Sequence, residues 1–212
     1  LHLRHGLDAG EIAAELDITP NNAHQVLFRM KGKLAGAIRA WGEGATVADA
    51  GSVRRLVFEF DIRARRFTER TWSYRTEAAP NMVADMWALD QHRMVLIERD
   101  GGLGVTAVFR TVYVVDLRRV ESDGFLGKTP VVDLTAIADP DLVSLPAIHV
   151  GDIGLGDPFS VVCESIEAIQ VIDGDRLLMG CDNNFPNKGR NPGLADDTEL
   201  IVVKVPGLRS HH

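Results

Sequence analysis

The sequence lacks several patterns that identify common protein classes. Its 212 residues include only two cysteines, Cys163 and Cys181, so a multi-disulfide framework is excluded. The two cysteines lie at unequal distances from the predicted turn at residues 173–175, so they should not face each other directly. This spacing favours two buried free thiols. The histidine and cysteine spacing that structural zinc requires is also absent.

No apolar run reaches the roughly 18 residues that a membrane-spanning helix needs, so we expect no membrane partner. No secretory signal opens the chain, which predicts a cytoplasmic location, and the Leu at position 1 indicates a fragment or a processed product. No Gly-x-Ser-x-Gly pattern occurs, so a serine esterase mechanism lacks its usual signature.

The overall composition is that of an ordinary soluble globular protein. Hydrophobic residues make up 45% of the chain and charged residues 25%, and the length allows one large or two small domains. The net charge is −7, and the acidic excess lies after residue 42. This part of the chain is therefore better suited to a cation-binding site than to a polyanion-binding one.

Before residue 42, hydrophobic residues recur at helical spacing. Asp8 and Glu11 form a capping box in front of one apolar face, and Thr19-Pro20 supplies an N-cap with proline in the first turn of a second helix. The pattern predicts a helix-turn-helix over residues 1–41, followed by a glycine-rich linker over residues 42–52. A helical hairpin that only packs or dimerises is the alternative.

Three stretches of this segment also keep a recognisable order. They are His5-Gly6-Leu7 before Glu11-Ile12-Ala13, then Leu16 to Ala23, and then the basic tail Arg29 to Leu34. The segment thereby resembles part of region four of an extracytoplasmic-function sigma factor, although the polymerase-binding region is missing. The resemblance implies duplex DNA as a partner of residues 1–41. The implied DNA-binding residues are Asn21, Asn22, Gln25, Arg29 and Lys33.

From residue 53 onward the hydrophobic period is that of β-strands, with polar turns between short runs. The predicted strands are 54–61, 66–74, 82–89, 94–98, 108–117, 131–134, 166–172 and 176–180, with a final strand after residue 198. The hairpin that begins near Asp85 is echoed by the one near Glu167. This offset of 82 residues is about two blades of a β-propeller, at roughly 40–45 residues a blade.

Several landmarks between residues 53 and 206 keep the order and spacing of a known family. They include Phe58-Glu59-Phe60-Asp61, Ile97-Glu98-Arg99-Asp100, Val114-Val115-Asp116-Leu117, Asp182-Asn183-Asn184-Phe185-Pro186 and Asp196-Asp197-Thr198-Glu199. Residues 53–207 thereby resemble the later part of the phytase-like domain called esterase-like activity of phytase. The resemblance implies a mainly β, partial β-propeller-like fold, export from the cell, and hydrolysis of phosphate or carboxylate esters.

A cluster of acidic and amide side chains suggests a metal site. Glu167 precedes one strand, and Asp182, Asn183 and Asn184 follow the next, while Asp85 and Glu98 occupy the equivalent positions earlier. Such oxygen donors suit Ca²⁺, which would polarise an ester and activate water. The predicted catalytic residues are Glu167, Asp182 and Arg190, with Arg190 and Arg99 holding an anionic substrate. The alternative is that residues 182–186 simply form a turn.

The leading interpretation is a metal-assisted ester or phosphoester hydrolase that acts on a small molecule. One alternative is a DNA-binding regulator with a β sensor domain. Another is an inactive fusion of two truncated domains, whose open sheet edges would promote self-association. The location is contradictory, because the absence of a signal indicates the cytoplasm and the family resemblance indicates export.

Overall fold

The computed structural model describes residues 2–5, 48–49, 52–61 and 64–210, and these residues are mainly β. Two one-turn 3₁₀ helices, Gly104–Thr106 and Leu208–Ser210, accompany the strands. The strands are β1 His2–His5, β2 Ala48–Asp49, β3 Ser52–Asp61, β4 Arg66–Arg75, β5 Met82–Ala88, β6 Arg93–Arg99, β7 Arg110–Val120, β8 Leu126–Asp133, β9 Ser165–Val171, β10 Arg176–Asp182 and β11 Glu199–Lys204.

The strands form three antiparallel sheets. The N-terminal sheet has the order β2-β3-β4, the middle sheet β5-β6-β7-β8 and the C-terminal sheet β1-β11-β10-β9. None of the three closes on itself within the residues described. The β-rich fold is therefore confirmed, whereas a propeller stays a prediction.

The echoed hairpins share the same turn chemistry. In the β5–β6 turn, Asp90 Oδ1 accepts the N–H groups of His92 and Arg93, and Oδ2 accepts Arg93 Nε at 2.8 Å. Backbone donation from His92 is the main reason that the pKa of Asp90 falls to about 2. In the β9–β10 turn, Asp173 accepts the backbone N–H and Nε of Arg176 in the same way. A single aspartate thus fixes each hairpin register.

The middle sheet is buried on both faces, which explains the apolar runs of β6 and β7. On β6, Val95 and Ile97 belong to the core that the middle sheet shares with the C-terminal sheet. Met94 and Leu96 belong to a second cluster that includes Tyr74 of the N-terminal sheet. Because side chains alternate along a strand, each half of this run serves one neighbouring sheet.

The spacing of the two echoed hairpins has a different origin from the one expected. The edge strand β5 of the middle sheet and the edge strand β9 of the C-terminal sheet lie side by side, and the Ile169 N–H donates to Asp85 Oδ2 at 2.8 Å. Residues 134–164 between the sheets form no named strand and contain only the isolated bridge between Ile137 and Phe159. The 82 residues from Asp85 to Glu167 therefore contain one four-stranded sheet and a long loop, and not the two blades that the spacing predicted.

Cys163 and Cys181 form a disulfide, so the prediction of two free thiols is wrong. A β-bulge at Gly180 shifts the ladder, so that Cys181 pairs with Ile166. The loop residue Cys163 then lies close enough, with a Cα–Cα distance of 6.2 Å, which is within the usual disulfide range. Counting residues from the turn could not reveal the bulge.

The predicted helix-turn-helix and most of the linker lie outside the described residues. The exceptions are His2–His5, which form β1 and pair with β11, Ala48–Asp49, which form β2, and Ser52, which begins β3. In the described part of the chain, no helix is long and apolar enough to cross a membrane.

Candidate functional site

Three loops meet at one end of the middle and C-terminal sheets. In chain order they are residues 100–109, 134–164 and 183–198. Their backbones are joined by hydrogen bonds: Gly104 N–H donates to the Val162 carbonyl and Ile153 N–H donates to the Arg190 carbonyl, each at 2.8 Å. We call this region the loop end. Loops held in place by sheets often carry functional side chains.

A small acidic pocket opens between the second and third of these loops. Its volume is about 20 Å³, which accommodates a group about the size of one water molecule. Four of its lining residues are acidic and one is arginine. The lining residues are Ile148, His149, Asp152, Arg190, Asn191, Ala195, Asp196, Asp197 and Glu199.

The guanidinium of Arg190 is fixed by the protein itself. Nε and Nη2 donate to the two carboxylate oxygens of Glu199, Nη1 donates to the Ile153 carbonyl at 2.5 Å, and Nη2 donates to the Ser160 carbonyl at 3.3 Å. The group also lies over the Phe159 ring, 4.8 Å from its centroid. These contacts use four of the five N–H donors, so at most one is left for a ligand.

Asp196 is a buried carboxyl group in the same pocket, with an exposed fraction of 8%. Its Oδ1 accepts the Arg190 backbone N–H at 2.9 Å, whereas Oδ2 has no hydrogen-bond partner among the described residues. Gly189 leaves room for this group, because a Cβ there would collide with the carboxylate. Burial, assisted by the nearby Glu199 carboxylate, raises the pKa of Asp196. A raised pKa makes this carboxylate a stronger base than that of an ordinary aspartate.

Asp152, Asn191 and His149 form a hydrogen-bonded group in the pocket. Asp152 Oδ1 accepts the Asn191 side-chain amide at 2.8 Å, and Oδ2 accepts the His149 backbone N–H at 3.0 Å. Burial disfavours the charged form, but these donors outweigh it and hold the pKa of Asp152 below its ordinary value. Asp152 therefore remains a carboxylate at neutral pH, with the imidazole of His149 half exposed beside it.

The predicted ligands Asp182, Asn183 and Asn184 lie at the loop end, outside the acidic pocket. Asp182 Oδ1 accepts the Asn184 N–H at 3.2 Å, and Asn183 Oδ1 accepts the Phe185 N–H at 3.2 Å. The Asn184 side-chain amide donates to Ser165 Oγ. These side chains form the turn that the sequence offered as the alternative to metal ligation.

Glu167 lies near this turn and pairs with Arg99. Its Oε1 is 3.7 Å from Arg99 Nη2, and half of the Glu167 side chain is exposed. Arg99 is buried and also donates to Ser165 Oγ at 3.4 Å and to the Asp100 carbonyl at 3.0 Å. The structure thus brings two predicted site residues, Glu167 and Arg99, into contact with each other.

Asp85 and Glu98 have partners other than Glu167. Burial raises the pKa of Asp85 to about 6, although the Ile169 N–H donates to its carboxylate. Glu98 is fully buried on the other face of the middle sheet. Its carboxylate accepts Tyr74 Oη at 2.6 Å, Asn81 Nδ2 at 2.9 Å and Lys128 Nζ at 2.9 Å.

The proposed calcium ligands do not converge in this arrangement. Within the described residues, no three carboxylate, histidine or cysteine side chains lie together so as to hold a metal ion. Glu98 faces the N-terminal sheet, whereas Glu167 and Asp182 lie at the loop end. The six-residue calcium set does not fit a single site here, and calcium binding stays a prediction.

The proposed DNA-binding residues, Asn21, Asn22, Gln25, Arg29 and Lys33, lie outside the described residues. DNA binding therefore stays a prediction.

Sequence reasoning identified Arg190 but did not assign a role to Asp152, His149 or Asp196. Asp196 belongs to the run Asp196-Asp197-Thr198-Glu199, which the sequence analysis used only as a family landmark. The available signal was an acidic run directly before an apolar strand. It gave no indication that the first aspartate is buried or that Glu199 is paired with Arg190.

Comparison with known proteins supports one assignment. A search of curated proteins and a search of solved structures each found no match. The model of one protein family matches residues 30–185, which is more than half of the chain and extends further toward the N-terminus than the landmarks indicated. The chain belongs to this phytase-like family, described as esterase-like activity of phytase.

Proposed function

We propose that the chain hydrolyses ester bonds in the acidic pocket, with Asp196 as the group that moves the proton. The observation that supports this most directly is the Asp196 carboxyl group, which is buried, lines the pocket and has one oxygen that no described residue binds. Membership of the phytase-like family supports ester hydrolysis as the reaction class, with phosphate and carboxylate esters as the two kinds of substrate.

The proposed reaction uses Asp196 first as a base and then as an acid. The carboxylate takes a proton from water while the water oxygen forms a bond to the carbonyl carbon or the phosphorus. The bond from that centre to the leaving alcohol oxygen then breaks, and the alcohol receives the proton from Asp196. A carboxylate whose pKa is raised by burial accepts the proton more readily than an ordinary aspartate and then returns it to the leaving alcohol.

Arg190 acts in this proposal as a positioning residue. Its contacts with Glu199, Ile153 and Ser160 join the second and third loops, and its own backbone N–H holds Asp196. Because its donors are largely used within the protein, it does not provide the forked anion clamp expected from the sequence. Its loss would disturb the pocket through Glu199 and Asp196.

The proposal is tested by measuring hydrolysis of p-nitrophenyl acetate and p-nitrophenyl phosphate by purified variants. Asp196→Asn keeps the size of the side chain but cannot move the proton, so we expect kcat to fall by about 10² to 10⁴. Asp182→Asn is the matched control, because Asp182 is an exposed loop-end aspartate outside the pocket. Full activity of Asp196→Asn together with loss of activity in Asp182→Asn would move the active site to the turn at residues 182–186.

The disulfide supports a proposal about location as well. Disulfides persist mainly in oxidising compartments, which agrees with the export implied by the family resemblance. Alkylation of protein taken directly from its native source, followed by mass measurement, tests this. We expect Cys163 and Cys181 to be protected from the reagent until a reductant is added, and prompt labelling of both would contradict it.

A further inference from the structure

We infer that the substrate is a neutral carboxylic ester with an apolar acyl chain, and that this chain binds to exposed side chains beside the acidic pocket. The side chains are those of Ile148, Val150 and Leu194, which we call the apolar rim. This inference rests on the proposed hydrolase function and deepens it by naming the substrate class. The pocket keeps its proposed role, because the chain would lie outside it, on the rim.

Exposed apolar side chains are concentrated at the loop end. In the described part of the chain, nine of the twelve exposed large hydrophobic residues belong to its three loops. Besides the rim, this group contains Val105, Val108, Leu142, Val143, Leu145 and Phe185. Exposed hydrophobic residues that are scattered singly need no explanation, whereas a concentration of them marks a binding surface.

Val150 lies at the tip of a tight turn. The Asp152 N–H donates to the His149 carbonyl at 3.3 Å, and Gly151 has a φ of +96°, a conformation that favours glycine. The Val150 side chain is completely exposed, although polar residues, glycine and proline are the usual occupants of such turns. Packing against the described residues therefore does not account for valine at this position.

A second turn brings Leu194 to the same place. The Leu194 N–H donates to the Asn191 carbonyl at 3.1 Å across Pro192-Gly193, a dipeptide typical of turns. The buried Asn191 side chain joins the two turns, because Nδ2 donates to the Val150 carbonyl at 3.0 Å and Oδ1 accepts the Gly193 N–H at 2.9 Å. Both turns are thus held in place by the protein, which lowers the entropic cost of binding a ligand.

The apolar rim adjoins the pocket in which hydrolysis is proposed. Ile148 lines the pocket itself, and Leu194 directly precedes the lining residue Ala195. The pocket volume of about 20 Å³ accommodates the attacking water, so an acyl chain does not fit inside it. A chain attached to an ester carbonyl at the opening of the pocket would therefore extend over the rim.

The charges around the rim favour a neutral chain. The loop of residues 134–164, which carries Ile148 and Val150, contains five carboxylates and no lysine or arginine. This loop repels a fatty acid anion or an anionic lipid surface. Burial of a methylene group against apolar side chains is favourable without any charge on the ligand. A neutral ester with an apolar acyl chain is therefore the expected substrate class.

The length of the acyl chain is the first variable to test. The substrates are p-nitrophenyl acetate, butyrate and hexanoate, each dissolved below its solubility limit. Full burial of one methylene improves binding about fourfold, and a chain covered on one side gains about twofold for each methylene. We therefore expect kcat/KM, relative to the rate with hydroxide alone, to rise at least about tenfold from acetate to hexanoate.

Two other results would show that the inference is wrong while the hydrolase function stands. One is a value of kcat/KM that stays constant or falls as the chain lengthens. The other is cleavage of the hexanoate only above its solubility limit, which would indicate that the rim contacts a lipid surface and not a single dissolved ester.

Matched variants connect the preference to the rim. Val150→Ser and Leu194→Ser each remove apolar surface at an exposed position, where substitutions usually have little effect on stability. We expect the double variant to lower the ratio of hexanoate to acetate activity at least about fivefold. Val120→Ser is the control, because Val120 is also exposed but lies on β7, outside the loop end, and the ratio should be unchanged. An equal fall in the control would contradict a defined rim.

Binding without catalysis separates this inference from the proposed function. Hexanamide and acetamide would be titrated against the protein while the methyl signals of Val150 and Leu194 are followed by NMR. If no ester is cleaved but hexanamide binds at least about tenfold more tightly and shifts these signals, the hydrolase function fails and the rim stands. If neither amide shifts them, the inference is wrong.

A second copy of the chain is the remaining candidate for covering the rim. Sedimentation of the protein and of the Val150→Ser, Leu194→Ser double variant distinguishes the two. We expect both proteins to have the same mass in solution. A dimer that the double variant dissociates would assign the rim to self-association and would overturn the inference.

Discussion

Replacement of Lys128 by Met tests whether a buried ion pair joins the N-terminal and middle sheets. Lys128 Nζ on β8 donates to Glu98 Oε2 and to the Arg75 carbonyl, each at 2.9 Å, and it lies 2.9 Å from Glu77 Oε1. The ammonium also lies over the ring of Tyr113, 4.4 Å from its centroid. Met is an apolar side chain of about the same length as Lys, so the substitution removes the charge and retains most of the packing.

The expected cost follows from the burial of Glu98, which is completely inaccessible to solvent. Removal of one partner from a buried ion pair typically costs about 3–5 kcal/mol, because the other charge is left without compensation. Tyr74, Asn81 and the Glu77 N–H still donate to Glu98, so we take the lower end, about 3 kcal/mol. For a protein of this size that corresponds to a fall in Tm of about 6–12 °C.

The assay is thermal unfolding followed by circular dichroism at neutral pH. Lys204→Met is the control, because Lys204 is exposed on β11 and its only described ion pair, with Asp175, is long at 3.7 Å. Its change in stability should be within about 0.5 kcal/mol. The double variant Lys128→Met with Glu98→Gln should recover part of the loss, since a neutral amide needs no counter-ion. A Tm for Lys128→Met equal to that of the control would refute the reasoning.

Three further predictions concern pH, the disulfide and calcium. The pKa of Asp85 is raised to about 6 by burial, so the folded state binds this proton more tightly than the unfolded state. The contribution of Asp85 is therefore most favourable below about pH 4 and is lost as pH rises through about 6. Asp85→Asn should raise the free energy of unfolding by about 1–2 kcal/mol at pH 7.5 and by much less at pH 4, as measured in urea; equal effects at both values would contradict this. Reduction of the Cys163–Cys181 bond should lower the free energy of unfolding by about 2–4 kcal/mol, and so should the double variant Cys163→Ala with Cys181→Ala. The measurement is Tm with and without reductant. An unchanged Tm in the double variant would show that the bond does not constrain the unfolded chain. Because the proposed calcium ligands do not converge, Tm should be the same with calcium and with a chelator. A rise in Tm with calcium that is abolished in the double variant Glu167→Gln with Asp182→Asn would show instead that the loop end rearranges to bind the ion.

The strands could be predicted because each has a local cause. The period-2 pattern and the polar turns indicated every strand from β3 to β10. Most observed limits differ from the predicted ones by one to three residues, but β8 begins at Leu126, five residues before the predicted start at residue 131. The family landmarks gave the correct assignment, because they depend on order and spacing alone. Asp90 and Asp173 illustrate the local character of this information, since each aspartate bonds to residues two or three positions away.

The candidate site could not be predicted in the same way, because it depends on burial and on pairing between residues that are separated in the chain. Asp196 becomes a proton-transfer candidate only through its burial beside Glu199, and Glu199 in turn is paired with Arg190 across a loop. Asp182 and Asn183 are residue types that often bind metals, yet the side chain of each accepts a hydrogen bond from the backbone N–H two residues ahead. Composition cannot distinguish these two uses of an Asx side chain. The disulfide could not be predicted because it depends on a β-bulge at Gly180, which no residue pattern indicates.

The alternation of Glu98 and Arg99 at the end of β6 has a consequence for how the chain finds its fold. Glu98 meets Lys128 on one face of the middle sheet, and Arg99 meets Glu167 on the other. A slip of β6 by a single residue exchanges the two faces. It would then place the guanidinium against the Lys128 ammonium and the carboxylate against Glu167, so that like charges meet on both sides. A misaligned β6 is thus destabilised on both faces of the sheet, and the two neighbouring charges together favour the correct strand register.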